Sequence, residues 1–206
     1  MKKYLVLALA ALALVACGTQ PTTATPTTAT PTTAAPTVQT ITIDKDDQTE
    51  LKEACAGGVY HAGVVVNFET DGTKWAYSPD FGLPNAEYDS GFAEHNLFQV
   101  KKKTGSVYNT EALSGGYSLV TVKFYVTYEK EAAEYLPVVQ EGTTADALTA
   151  VAVNEATPYE GDKVDWTNGT KDVYEYTCTY NVKAESTFFS IGAGAGLLFF
   201  DSVVIA

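Results

Sequence analysis

The chain has 206 residues, of which 25 are acidic and 13 are Lys, and its formal net charge at pH 7 is −12. It contains no Arg, which excludes bidentate recognition of phosphate or guanine, and the negative field repels nucleic acid. We therefore expect no nucleic-acid partner, although Lys101–Lys103 make one local basic patch.

The N-terminus has the features of a secretory signal. Two Lys residues precede an uninterrupted apolar run at 5–16, which is shorter than the about 20 residues of a membrane-spanning helix. The run ends in Leu14-Val15-Ala16-Cys17-Gly18, which resembles the lipobox of bacterial lipoproteins. The resemblance implies that residues 1–16 are a signal peptide and that Cys17 becomes lipidated. The alternative is an ordinary signal followed by an unmodified cysteine.

Residues 17–40 have the composition of a stalk. They contain Pro-Thr-Thr-Ala-Thr twice and Pro-Thr-Thr-Ala-Ala once, with almost no large apolar side chain. Nothing in such a segment offsets the entropy lost on ordering, and a Pro at every fifth position favours an extended chain. We expect a disordered spacer and an extracytoplasmic protein, lipid-anchored to the bacterial membrane or cell surface.

The remaining residues, 41–206, have a suitable length for one domain with a sizeable core. Residues 117–128 and 172–183 alternate apolar and polar side chains with a period of two, which predicts strands. Further strands are predicted at 62–68, 97–102, 147–153, 187–191 and 197–205, with turns at Asp71-Gly72, Ser114-Gly115-Gly116, Glu160-Gly161-Asp162 and Asn168-Gly169.

Helical signals are few. Residues 47–56 fit a short helix with Asp47 as its N-cap and Gly57 at its end, and residues 129–136 fit either a helical turn or a loop. The pattern as a whole predicts an all-β fold, an antiparallel two-sheet β-sandwich with at most one or two short helices.

The C-terminal segment FFSIGAGAGLLFFDSVVIA resembles the closing hairpin of jelly-roll modules, which include many carbohydrate-binding modules. The resemblance implies a jelly-roll-like sandwich, a last strand that pairs near the start of the domain, and a glycan as ligand. It also implies a structural Ca²⁺ where the first and last strands meet, with Asp201 as one ligand.

Candidate glycan-binding residues are aromatic side chains near polar groups. Trp166 lies in a very polar segment with Asp165 and Asn168 close by, and Trp75 and Tyr77 share one face of a strand. A flat ring packs on the apolar face of a sugar, and neighbouring polar side chains bind its hydroxyls. The alternatives are a Trp166 that covers the end of the sandwich and core positions for the other two rings.

Calcium is the one ion that the sequence favours. Asp44 and Asp46 stand in an acid-rich segment at 44–50, and carboxylates are ligands that Ca²⁺ prefers. A structural Ca²⁺ bound by Asp44, Asp46 and Asp201 is therefore the metal-site hypothesis. A helix cap within a solvated acidic run is the alternative.

Two cysteines follow the lipobox, at Cys55 and Cys178. Outside the cytoplasm a disulfide between them would persist. The other possibility is two separately buried thiols.

Two classes of function follow from these patterns. The first is a non-catalytic module that binds an extracellular ligand, foremost a glycan. The second is a structural or adhesive envelope protein that acts through contacts with another surface protein. An enzyme is not expected, because no local pattern nominates a pair of catalytic carboxylates or a nucleophile.

Overall fold

A computed structural model describes residues 39–56, 60–127, 136–154 and 161–206. The predicted signal peptide, Cys17, the stalk up to residue 38, Gly57 and most of the ambiguous segment at 129–136 lie outside these ranges. Within them, no helix is long and apolar enough to cross a membrane.

The described part of the chain is built mainly from strands. Its elements, in chain order, are β1 (Ile41–Ile43), a 3-10 helix (Lys45–Gln48), α1 (Thr49–Ala54), β2 (Val66–Thr70), β3 (Thr73–Tyr77), β4 (Phe81–Gly82), α2 (Ser90–Glu94), β5 (Phe98–Val100), β6 (Ser106–Asn109), β7 (Leu119–Val126), β8 (Pro137–Gly142), β9 (Thr149–Ala150), β10 (Asp162–Asn168), β11 (Lys171–Asn181), β12 (Phe188–Ala193) and β13 (Leu198–Ile205).

The strands form two antiparallel sheets. Sheet A has the order β10-β11-β7-β13-β5-β4, with β1 paired to the C-terminal half of β13, and sheet B has the order β2-β3-β6-β12-β8-β9. The predicted two-sheet β-sandwich with short helices is confirmed. The last strand does pair near the start of the domain, but β12 and β13 belong to different sheets. The Gly-rich segment between them is therefore a crossover between sheets and not the turn of a closing hairpin.

The core follows the predicted period of two. On β7, Val120, Val122 and Phe124 are buried, and on β11 Tyr176 and Cys178 are buried. The two strands pair directly, with Cys178 opposite Val122. Because alternate residues point to one side of a strand, the apolar set of each strand faces the interior of the sandwich.

Trp75 and Tyr77 on β3 belong to this core. Both are fully buried, and the Tyr77 ring stacks on Phe68 with its centroid 4.2 Å away. The Tyr77 hydroxyl donates to the carbonyl of Asp47 at 3.0 Å, and the Trp75 Nε1 donates to Thr73 Oγ1 at 2.7 Å. The assignment of these two rings to a ligand site was wrong: their polar atoms are bonded and their faces are packed.

The acidic segment after β1 is a helix cap. Asp44 accepts a hydrogen bond from the Asp46 backbone N–H, and Asp47 accepts one from the Asp44 N–H at 3.0 Å. Asp44 and not Asp47 is therefore the N-cap, and the reciprocal bonds form a capping box. Leu51 on α1 is buried, as expected for the inward side of this short helix.

The predicted Ca²⁺ site is not formed. The Asp44 carboxylate is occupied by the cap, and Asp46 joins the cap only through its backbone N–H. Asp201 lies apart from both, on the outer face of sheet A, with its Oδ2 3.8 Å from Lys123 Nζ. Across the described ranges no three acidic, His or Cys side chains converge as a metal site would require.

Cys55 and Cys178 are free thiols and both are buried, so the predicted disulfide is not present. Cys55 follows α1, which packs beside β2 of sheet B, whereas Cys178 lies on β11 of sheet A. Each thiol packs among apolar neighbours. Burial raises the pKa of the Cys55 thiol and raises that of Cys178 to about 11.

We expect both thiols to be unreactive in the native state. In a Cys17→Ser chain at pH 8, a thiol reagent should find almost no reactive group before unfolding and two per chain in denaturant, because burial blocks access and disfavours the thiolate. A count of zero in denaturant without reductant would mean that a disulfide forms after all.

Candidate ligand-binding pocket

The outer face of sheet A carries a second apolar cluster, separate from the core. Its buried members are Phe92, Leu97, Tyr125, Val173 and Phe199, with Val164, Trp166 and Leu197 packed partly against them. The strand residues of this set point away from the sandwich interior. They are buried because α2 and the segment that follows it cover this face of the sheet.

Helix α2 docks closely on the edge of sheet A. A Cβ at Gly91 would collide with the carbonyl oxygen of Thr167 on β10, so only glycine permits this approach. The Gly91 N–H donates to the Asn168 Oδ1 at 3.2 Å, and the Phe92 ring stacks on Phe199 with centroids 3.7 Å apart. These contacts hold the short helix in place.

Asn168 lies where β10 turns into β11. It pairs with Lys171, so the two turn residues are Gly169 and Thr170, one position later than the predicted Asn168-Gly169. Gly169, the first of them, supplies the positive φ, at +61°. Asn168 is buried, and its Nδ2 donates to the Asp89 Oδ1 at 3.3 Å while its Oδ1 accepts from α2. The side chain therefore joins the turn, the helix and an acid.

A pocket of about 370 Å³ opens beside this junction; we call it the α2 pocket. Apolar side chains supply one part of its lining and polar residues the other. The described residues that line it are Tyr88, Asp89, Phe92, Val126, Thr127, Asn168, Gly169, Thr170, Lys171, Leu197 and Phe199. A concave apolar surface with a few convergent polar groups is the usual form of a small-ligand site.

Two tyrosines stand exposed at this end of the molecule. Tyr88, which lines the pocket, is 66% exposed, and Tyr60 is 40% exposed. Their rings meet edge to face, with centroids 6.4 Å apart. An aromatic ring left in water beside a pocket offers a flat apolar surface to a ligand.

Asp89 is the carboxylate among the described lining residues of the α2 pocket. Partial burial raises its pKa, while the hydrogen bond from Asn168 and the charge of Lys171 act in the opposite direction. The Gln99 Nε2 also donates to Asp89 at 3.4 Å, and the buried Gln99 Oε1 has no partner in the described part of the chain. Asp89 is thus an acid held in an environment that disfavours its charge.

Trp166 lies behind the pocket and does not line it. It is half-buried, and its ring stacks on His95 at 4.0 Å and meets the edge of Phe92 at 5.7 Å. Asp165, beside it, is exposed and also lies outside the pocket lining. Trp166 covers one side of the second cluster, which agrees more with the alternative of a structural cover than with an open platform.

The structure separates the predicted ligand residues into three groups. Asn168 lines the α2 pocket, Trp166 and Asp165 lie beside it, and Trp75 and Tyr77 are in the core. The main residues missed were Tyr88, Asp89 and Lys171. Tyr88 lies between Glu87 and Asp89 and is, like Trp166, an aromatic residue in a polar segment, which is the signal that could have identified it.

A charged network occupies the outer face of sheet A away from the pocket. The Tyr125 hydroxyl donates to the Glu175 Oε2 at 2.6 Å, and Lys123 Nζ lies 3.0 Å from the same oxygen. Burial, together with this hydrogen bond to Glu175, raises the pKa of Tyr125 to about 12. These polar atoms are already bonded to one another, and the network is a less suitable ligand site than the α2 pocket.

No family model and no curated protein matches the chain. Among solved structures, a carbohydrate-binding module (CBM28) specific for non-crystalline cellulose is similar, with 16% sequence identity over 73% of this chain and 81% of that module. The TM-score is 0.28, which is too low for the likeness to carry an argument about the fold or the ligand of this chain.

Asp89 gives the stability of the domain a defined pH dependence. Its folded pKa lies above the ordinary 3.8, so the native state holds this proton more tightly than the unfolded chain does. The protonated Asp89 therefore contributes to the stability of the native state. This contribution is fully present below about pH 3.8 and is lost as the pH rises through the folded pKa. We expect the free energy of unfolding of Asp89→Asn, relative to the wild type, to increase from pH 3.5 to pH 7.

Urea unfolding at several pH values measures this difference. The exposed Asp165→Asn, which changes the net charge equally, is the control and should give a much flatter difference. A relative stability of Asp89→Asn that falls toward neutral pH would show that the carboxylate is stabilised by its partners and not penalised by burial.

Proposed function

We propose that the α2 pocket binds a neutral glycan and that the chain is a non-catalytic binding module. The observation that carries this proposal is the combination, in one pocket, of the exposed Tyr88 ring with the fixed polar pair Asp89 and Asn168. A sugar needs both kinds of contact at once, because one side of its ring is lined by C–H groups and its edge carries hydroxyls.

The polar groups of the pocket suit hydroxyl ligands. Asp89 accepts hydrogen bonds, Lys171 donates them, and Thr127 and Thr170 do both. Asp89 is already oriented by Asn168 and Gln99, at 3.3 and 3.4 Å. A group held in place by its neighbours loses little entropy when the ligand arrives, and this favours binding.

The charges favour a neutral ligand and a binding role. One acid and one Lys are among the described lining residues, so the charges of the pocket balance and an acidic polymer gains little here. Hydrolysis of a glycoside would normally use two carboxylates about 5–10 Å apart. Asp89 has no second carboxylate beside it among those lining residues.

We also propose that this module is displayed outside the cytoplasm on a lipid anchor at Cys17. The support is the sequence alone: the apolar run, the lipobox-like Leu14–Gly18 and the Pro/Thr-rich segment that follows. Two acyl chains on one cysteine would hold the protein firmly to a membrane, since each buried CH₂ contributes about 0.8 kcal/mol. The stalk would then separate the α2 pocket from the lipid surface.

A second candidate function is attachment to another protein. Tyr60, Val64, Val65 and Tyr88 are exposed apolar side chains, and the first three belong to one loop. Exposed apolar patches often mark protein interfaces. A Val64→Ser, Val65→Ser double variant separates the two functions, because neither valine is among the residues that line the α2 pocket.

The binding site is tested with Tyr88→Ala. Electrophoresis of the purified chain through gels that contain xylan, mannan, starch or hydroxyethylcellulose should show retardation by at least one neutral polymer. Loss of one stacked ring removes about 1 kcal/mol, so the substitution should weaken binding about 5-fold or more. Tyr108→Ala, which removes a half-exposed ring from sheet B, is the matched control and should bind normally.

Two results would contradict the glycan proposal. The first is an absence of retardation by every neutral polymer tested, and the second is equal retention of the wild type and Tyr88→Ala. Melting curves of both variants establish that the folded state is intact. Loss of a protein contact in the double valine variant, with no glycan binding in the wild type, would favour the second candidate function.

The anchor is tested with Cys17→Ser in a bacterial host. We expect the variant to lose labelling by radioactive palmitate and to remain unprocessed, because the lipoprotein signal peptidase cuts the chain only before a lipid-modified cysteine. The wild type should be labelled and should partition into detergent. A Cys17→Ser chain that is processed and still partitions into the detergent phase would show that the anchor is not at this residue.

A further inference from the structure

The outer face of sheet B carries a groove of about 320 Å³ that the proposed function does not use. We call it the sheet B groove; the described residues that line it include Lys103, Thr104, Ser106, Val138, Gln140, Ser190 and Gly192. Three neighbouring strands, β6, β12 and β8, form its base. None of these residues lines the α2 pocket.

Strand register explains the shape of the groove. Gly192 lies between Ser106 on one side and Val138 on the other, and the Ser190–Gln140 pair lies in the adjacent row. These positions alternate with the buried residues of the same strands and so face outward. Gly192 is buried, and the absence of a side chain there lets the backbone of Gly105 pass directly over β12. A Cβ there would collide with the backbone of Gly105.

The polar side chains that line the groove have unused hydrogen-bonding capacity. Ser106, Gln140 and Ser190 are half-buried, and no side-chain hydrogen bond within the described ranges occupies them. Two hydroxyls and one amide can each donate and accept. Together with the apolar Val138, which is 39% exposed, they present to solvent the same mixture of groups that a sugar ring presents to a protein.

Lys103 adds a positive charge at one end of the groove. Its backbone has a φ of +65°, a conformation uncommon for a residue other than glycine. Its N–H bonds to the carbonyls of Ala193 and Gly194, at 3.0 and 2.9 Å, which hold it there. Nearby, Lys101 pairs with Asp80 at 2.7 Å, whereas Lys103 has no carboxylate partner in the described part of the chain.

We propose that the sheet B groove is a second binding site and that it takes an acidic sugar, a hexuronate unit. Lys103 Nζ binds the carboxylate, Ser106, Gln140 and Ser190 bind hydroxyls, and Val138 packs against the C–H face. No acidic residue is among the described residues that line the groove. Asp80, which contacts the lining residue Thr104, is paired with Lys101 at 2.7 Å. This site does not depend on the neutral-glycan proposal for the α2 pocket.

A sugar acid explains the lining better than a small inorganic anion. A phosphate ion has mainly acceptor oxygens, and it would leave unused the accepting oxygens of Ser106, Ser190 and Gln140 as well as the surface of Val138. A hexuronate has hydroxyl donors, hydroxyl acceptors, one carboxylate and an apolar face. It therefore matches each kind of group in the groove.

Calorimetric titration of the purified chain with trigalacturonate tests this proposal, with neutral galactotriose and inorganic phosphate as comparison ligands. We expect trigalacturonate to bind and Lys103→Gln to weaken it about 10-fold or more, the loss typical of a charge-assisted hydrogen bond. Ser190→Ala should weaken it about 3- to 5-fold. Lys52→Gln, an exposed lysine on α1, makes the same charge change and should leave the affinity unchanged.

Several outcomes would overturn the proposal. Equal weakening by Lys103→Gln and Lys52→Gln would indicate a general charge effect, and phosphate binding as tightly as trigalacturonate would indicate an adventitious ion only. Loss of binding in Lys171→Gln but not in Lys103→Gln would assign the acid to the α2 pocket. If Lys103→Gln does not fold, Ser190→Ala and Gln140→Ala decide, and normal binding in both rejects the groove.

Discussion

The candidate site depends on one contact, the docking of α2 against sheet A through Gly91 and Phe92. Five residues are too few to form a stable helix alone, so tertiary contacts must position α2. Gly91 allows the helix to touch the backbone of Thr167, and Phe92 stacks on Phe199 at 3.7 Å. The outer face of a sandwich sheet is usually polar; here the docked helix covers apolar side chains and creates the pocket beside them.

This docking also determines the chemistry of the pocket. It brings together Asp89 from the loop before α2, Asn168 from the β10–β11 turn and Phe199 from the last strand. Asp89 and Asn168 are 79 positions apart in the chain. The burial that holds Asp89 in place raises its pKa, so the ionised acid lowers stability at neutral pH. The sheet B groove differs, because strands and the segment 103–105 build it without help from a helix.

The sequence predicted the sandwich but not its site, for physical reasons. Strands β7 and β11 each have one buried and one outer face, so their sequences alternate with a clear period of two. Strand β10 has few buried side chains, so its sequence lacks this pattern and the strand was not predicted. Trp75 and Tyr77 share one face of β3, and both are buried because this face packs in the core of the sandwich, which was the alternative to a ligand site. Helix α2 has no periodic signal in five residues. The α2 pocket exists only through contacts between distant segments, which no local pattern encodes.

The most direct test of the account maps where a neutral glycan binds. A ¹⁵N-labelled chain is titrated with a neutral hexasaccharide of a polymer that retards it, and the backbone amide shifts are followed by NMR. We expect the largest shifts at 88–92 and 168–171, the segments that line the α2 pocket, with a smaller change at the Trp166 indole, which contacts Phe92. Shifts confined to the outer face of sheet B, or a saturated complex that leaves both segments unchanged, would contradict it.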